Sequence, residues 1–96
     1  MSGQDIGTPT NLTVVATAKG INTLRWTGNA SAGKVLYEIW RLNGDTASFE
    51  VFATTSDESY ADTTAVSGEY YNYKVCAVMG GTHSAFSNVA VVYGAN

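Results

Sequence analysis

The chain has 96 residues and a net charge of −3, which sizes it for one domain, and its five basic residues leave no electrostatic footprint for nucleic acid or anionic lipid. Hydrophobic residues make up 45% and aromatic residues 11%, enough for a packed core and too much for a disordered chain. A single cysteine, Cys76, excludes an internal disulfide, and no apolar run reaches the length of a membrane span. Charged residues are sparse at 14%, so Ser, Thr, Asn and Gly carry most of the polarity, a profile that suits a β-protein.

Residues 1–8 are polar and glycine-bearing and read as a flexible N-terminal arm. They also lack the basic-then-apolar pattern of a secretion signal. Pro9 opens the domain, because the first residue of an edge strand can spare its N–H. Residues 11–17 follow as a strand with Leu12, Val14 and Ala16 alternating inward. Lys19-Gly20 turns the chain into a second strand, residues 22–27, where Leu24 and Trp26 share a face and Arg25 opposes them. Ile21 falls off that parity and is expected to cap the end of the fold or lie at a bulge. Residues 28–34 are a loop by composition.

The third strand, residues 35–42, points Tyr37 and Ile39 inward. Asn43-Gly44 is a turn dipeptide, since both residues tolerate positive φ. A short strand over 49–54 carries Phe49 and Phe52, and another over 59–62 carries Tyr60. The strongest signal lies between Gly68 and Gly80-Gly81. There Tyr71, Tyr73, Val75 and Ala77 point one way, and Asn72, Lys74, Cys76 and Val78 the other, as in a long central strand with one face in a core. A loop over 79–84 leads to a last strand over 88–93 with Ala90 and Val92 inward, and 94–96 form a tail. About seven short strands and no helical period predict an all-β fold, a two-sheet immunoglobulin-like sandwich of antiparallel strands over residues 9–93.

Six fragments occur in order: Pro9-x-Asn11-Leu12-x-Val14, Leu24-x-Trp26, Tyr37-x-Ile39-x-Arg41, Tyr60-x-Asp62, Gly68-x-x-Tyr71-x-Tyr73-x-Val75-x-Ala77 and Ser84-x-x-Ser87-Asn88. Together they resemble a fibronectin type III domain of the bacterial and phage kind. The resemblance makes Trp26 the core tryptophan of the second strand. It makes Tyr71 the tyrosine corner, its hydroxyl bonding back to the turn around 65–68 and holding a backbone carbonyl there. The leucine that such domains usually place before a proline-glycine turn is replaced by the run Ala65-Val66-Ser67-Gly68. The integrin-binding Arg-Gly-Asp triplet of some members is absent.

No convergent set of titratable or nucleophilic groups is visible, so neither catalysis nor a cofactor is expected. His83 sits in a glycine-flanked loop and is a candidate partner contact there. Cys76 has only Lys74 nearby as an activator and reads as a structural thiol. Asp45, Asp57, Glu58, Asp62 and Glu69 fall in turns, where short acids bond the backbone locally. No metal-ligand spacing stands out.

By the resemblance, the third, sixth and last strands pair. Their outward face would then carry Leu36, Glu38, Trp40 and Leu42, then Asn72, Lys74, Cys76 and Val78, then Val89, Val91 and Tyr93. Antiparallel sheets usually solvate such a face with polar side chains. Trp40, Leu42, Cys76, Val78, Val89, Val91 and Tyr93 are therefore the candidate partner-binding residues.

The expected function is a non-catalytic interaction module. The intact start at Met1 without a signal points to a complete small product that decorates a larger assembly, such as a phage capsid or tail. The resemblance adds weak adhesion to cell-surface carbohydrate, with Trp40 and Tyr93 as stacking rings. That reading places the protein on a virion or extracellular surface. The alternative is a spacer module from a secreted bacterial carbohydrate-active enzyme.

Overall fold

Eight strands form two antiparallel sheets in the computed structural model, which describes residues 6–29, 35–43 and 48–95. The smaller sheet contains β1 (Thr10–Ala18), β2 (Ile21–Thr27) and β5 (Ser59–Asp62), in the order β1-β2-β5. The larger contains β3 (Leu36–Asn43), β4 (Glu50–Thr55), β6 (Tyr70–Met79), β7 (Thr82–His83) and β8 (Ala90–Tyr93). It runs β4-β3-β6, and β7 and β8 pair successive stretches of β6. Residues 30–34 of the predicted loop 28–34 and the turn residues Gly44 and Asp45 lie outside the described residues.

The period of two decides what is inside. Leu12, Leu24, Trp26, Tyr37, Ile39, Tyr71, Tyr73, Val75, Ala77 and Ala90 are buried between the sheets, and Val14, Tyr60 and Val92 pack against them. Each fully buried large side chain contributes about 1.5–3 kcal/mol relative to leaving it in water. Trp26 meets Tyr37 edge-on with centroids 5.5 Å apart, a favoured aromatic arrangement. Ile21 pairs Ala18 just past a register shift in β1, as its broken parity predicted.

Three local features differ from the sequence reading. The predicted loop 79–84 contains β7, because Gly80 (φ 57) and Gly81 (φ 85) together make a two-residue hairpin turn that needs positive φ twice. Residues 6–8, assigned to the arm, are half-buried, with Ile6 against the core. At the other end, Gly94 and Ala95 are held by the 67–69 corner: Gly94 N–H donates to Glu69 at 2.8 Å, and Ser67 Oγ donates to the Ala95 carbonyl at 2.8 Å.

Tyr71 does close a corner, with a different partner from the one expected. Its hydroxyl accepts the Val66 N–H at 2.7 Å, so it satisfies a backbone donor and not a carbonyl. The corner run leaves that amide without a strand partner, and the phenol oxygen fills the gap. Ala65 is buried beneath it, in place of the larger side chain the resemblance would supply.

The Ser-x-x-Ser-Asn fragment has a clear physical role. Between β7 and β8 the chain leaves the edge of β6, and the two serines keep that edge satisfied. Ser84 N–H donates to Ala77 O and Ser84 Oγ accepts Ala77 N–H, both at 2.9 Å. Ser87 repeats this on Val75, at 2.8 Å and 3.0 Å. Asn88 then clips the two sheets together: its Oδ1 accepts Leu12 N–H at 2.9 Å and its Nδ2 donates to Leu12 O at 3.0 Å.

Candidate interaction surfaces

The one fully buried carboxylate among the described residues, Asp62, is structural. Asp62 ends β5, with Asn22 opposite it on the neighbouring β2, and β6 brings Tyr73 to it across the core. Its Oδ2 accepts the Tyr73 hydroxyl at 2.5 Å and Arg41 at 2.9 Å, and its Oδ1 accepts the Thr64 N–H at 2.9 Å and hydroxyl at 2.7 Å. Burial alone would raise its pKa, but the hydrogen bonds from Tyr73, Thr64 and Arg41 outweigh that and hold the carboxyl below its ordinary range. Burial, and then the bond to Asp62, push the Tyr73 phenol well up. Asp62 was read as a turn acid bonding locally. The Thr64 contacts fit that reading, while its main partners come from β3 and β6.

Arg41 also lies over two rings, 4.1 Å from the Phe52 centroid and 5.3 Å from that of Tyr71. Among the described residues no three His, Cys, Asp or Glu side chains gather in a way that could hold a metal ion.

On the outward side of the larger sheet, the predicted surface divides into two parts. Around Trp40 it is covered. Trp40 is half-buried; its Nε1 donates to Glu38 Oε1 at 3.1 Å and Phe86 packs edge-on at 5.3 Å. Lys74 closes the cluster, with Nζ 3.9 Å from the Phe86 centroid, 4.4 Å from Phe49 and 6.0 Å from Trp40. Leu42 and Val78 are half-buried, and His83 is exposed, its Nε2 3.3 Å from Glu38 Oε2.

Cys76 needs a correction as a partner contact. Strand parity points it outward, but it is only 1% exposed, with Glu38 and Trp40 over it. Burial, then the Glu38 charge, push the thiol up to about 11, so it is neutral and unreactive near neutral pH.

Along β8 the same face is open. Val89, Val91 and Tyr93 are 51%, 57% and 49% exposed, and Tyr70 beside Tyr93 is 63% exposed, their rings 4.7 Å apart. Phe86 escaped the sequence reading because it belongs to no strand. Only its place in the Ser-x-x-Ser fragment, between two residues fixed to β6, could have located it.

No family model matches the chain. Over 59 residues, 58% of its length, it is 41% identical to an amylopullulanase of Thermoanaerobacter thermohydrosulfuricus, and it spans 4% of that enzyme. The crystal structure of a Fn3-like protein from Clostridium thermocellum superposes with a TM-score of 0.74 at 25% identity, covering 88% of each chain. Titin domains superpose at 0.82 with 17% identity, over 97% of this chain and 34% of that one. A human fourth FNIII domain does so at 0.79 with 17% identity, over 99% and 84%.

Proposed function

We propose that this chain, which has the fibronectin type III fold, is a non-catalytic interaction module that meets its partner through the β8 side of the larger sheet. The observation that carries this reading is the contiguous open strip of Tyr70, Val89, Val91 and Tyr93, apolar where a solvated sheet face would be polar. The buried charges are satisfied by one another and serve the fold.

Two settings have support. Likeness to part of an amylopullulanase and to a clostridial Fn3-like protein favours an ancillary module of a bacterial carbohydrate-active enzyme. The open strip favours the second, an accessory protein seated on a larger assembly such as a capsid or tail, because a solvated spacer has no need of it.

The reading frame and its neighbours separate the two. A glycosidase domain in the same frame supports the first, and flanking capsid or tail genes support the second. The surface itself is tested with Val91→Asp in the whole enzyme or the reassembled particle. Loss of docking with an unchanged urea midpoint is expected; unchanged docking removes the strip. Release of reducing sugar from pullulan by the isolated chain would overturn the non-catalytic assignment.

A further inference from the structure

A second surface adjoins the Val89 end of the open strip, at the seam where β1 meets the 84–89 segment. It is an open groove of about 600 Å³, lined on one side by Thr8, Asn11 and Thr13 and on the other by Phe86, Ser87 and Asn88. None of the residues that line it is charged.

Its two sides are built differently. On the 84–89 side, the Ser87 hydroxyl and the Asn88 amide are committed to the strands, so that wall is fixed. Phe86 is 39% exposed, and Trp40 and Lys74 pin its ring. On the β1 side, Asn11 sits in the bulge between Thr10 and Thr13 and adopts φ 58, the one left-handed non-glycine residue described. Such a conformation is uncommon, asparagine tolerates it better than most residues, and bulges re-aim side chains. The side chains of Asn11 and Thr13 are exposed, and no hydrogen bond among the described residues engages them.

We infer that this groove binds a neutral oligosaccharide, with one sugar ring against Phe86 and its hydroxyls bonded by Asn11 and Thr13. A sugar presents an apolar C–H face beside hydroxyls that both donate and accept. The groove offers the matching set: an aromatic ring, an amide with two donors and an acceptor, and a threonine hydroxyl. An anionic or cationic ligand would meet no counter-charge in the lining. A wholly apolar ligand would strip water from Asn11 and Thr13 without replacing it. An extended peptide adding to β1 would need the Leu12 backbone, and Asn88 already occupies both its N–H and its carbonyl. The volume is in the range of small-ligand sites.

The test is an NMR titration of the ¹⁵N-labelled chain with neutral oligosaccharides of glucose, mannose and N-acetylglucosamine, maltoheptaose and cellohexaose among them, beside an uncharged extended peptide. At least one glycan is expected to give saturable shifts confined to residues 8–13 and 86–88, with Kd on the order of 1 mM. Phe86→Ala is expected to weaken binding about tenfold or more. Asn11→Gly keeps the positive φ and should weaken it several-fold, which serves if Phe86→Ala does not fold. Val91→Asp should change nothing. No saturable shift with any glycan, shifts at Tyr70 and Tyr93 instead, a response only to the peptide, or wild-type affinity in the groove variants overturns the inference. This site and the β8 strip are tested separately: a reading frame without a glycosidase leaves the groove intact, and failed glycan binding leaves the strip intact.

Discussion

Arg41 and Lys74 stand one register step apart, Arg41 opposite Tyr73 and Trp40 opposite Lys74, yet they serve opposite faces of the larger sheet. Both cations lie over aromatic rings. Inside, Arg41 has Phe52 and Tyr71 and also a carboxylate, Asp62, at 2.9 Å. Outside, Lys74 has Phe86, Phe49 and Trp40, and no acid pairs with it among the described residues. The difference follows from solvation. The Asp62 carboxylate, wholly out of water, needs a formal counter-charge and Arg41 supplies it, whereas the half-covered Lys74 ammonium keeps some water and needs only the rings.

Asp62→Ala should have the largest effect, about 3–5 kcal/mol in urea denaturation, because it leaves the buried Tyr73 hydroxyl and the partly buried Arg41 charge without their partner. The same carboxylate sets the acid limb. Its folded pKa lies below the unfolded value near 3.8, so its stabilisation is complete above that value and is lost as pH falls through the folded one. Stability measured from pH 6 downward should therefore drop across that window in the wild type, and less steeply in Asp62→Ala.

Tyr71→Phe comes next, at about 1–3 kcal/mol, by leaving the Val66 N–H unpaired. A change near zero would remove the corner from the account. Lys74→Met should cost about 0.5–1 kcal/mol. A loss as large as that of Asp62→Ala would break the contrast between the two faces. The smallest effect concerns Cys76, whose thiol should react with a thiol reagent at neutral pH only when the chain unfolds. Labelling of the native protein at the unfolded rate would show that Glu38 and Trp40 do not cover it.

Legibility in the sequence followed how local each cause is. The alternation in β2, β3 and β6 was plain because burial on one face imposes a period of two within a single strand, and Tyr71 was placed because its partner is five residues away. What escaped depends on meetings across the sheets. Nothing near Asp62 in sequence announces that Arg41 and Tyr73 converge on it. Cys76 points outward by parity, but the Glu38 and Trp40 side chains of the neighbouring strand reach it, and it is buried. Phe86 and Asn11 lie where strand parity lapses, in an irregular connection and a bulge, and the candidate groove joins them. The outer strip was partly readable, since Val89, Val91 and Tyr93 were placed on it and Tyr70 was not.

The Asn88 clip also has a mechanical consequence. From that clip β1 and β8 both run toward the corner near residue 65, where Gly20 approaches Ala65 and Gly94 approaches Val66. Tension applied between the two ends of the chain would therefore slide these strands along one another instead of peeling them apart. Two hydrogen bonds from a single amide, loaded in parallel, would resist that shear, making Asn88 a fuse of the domain under load.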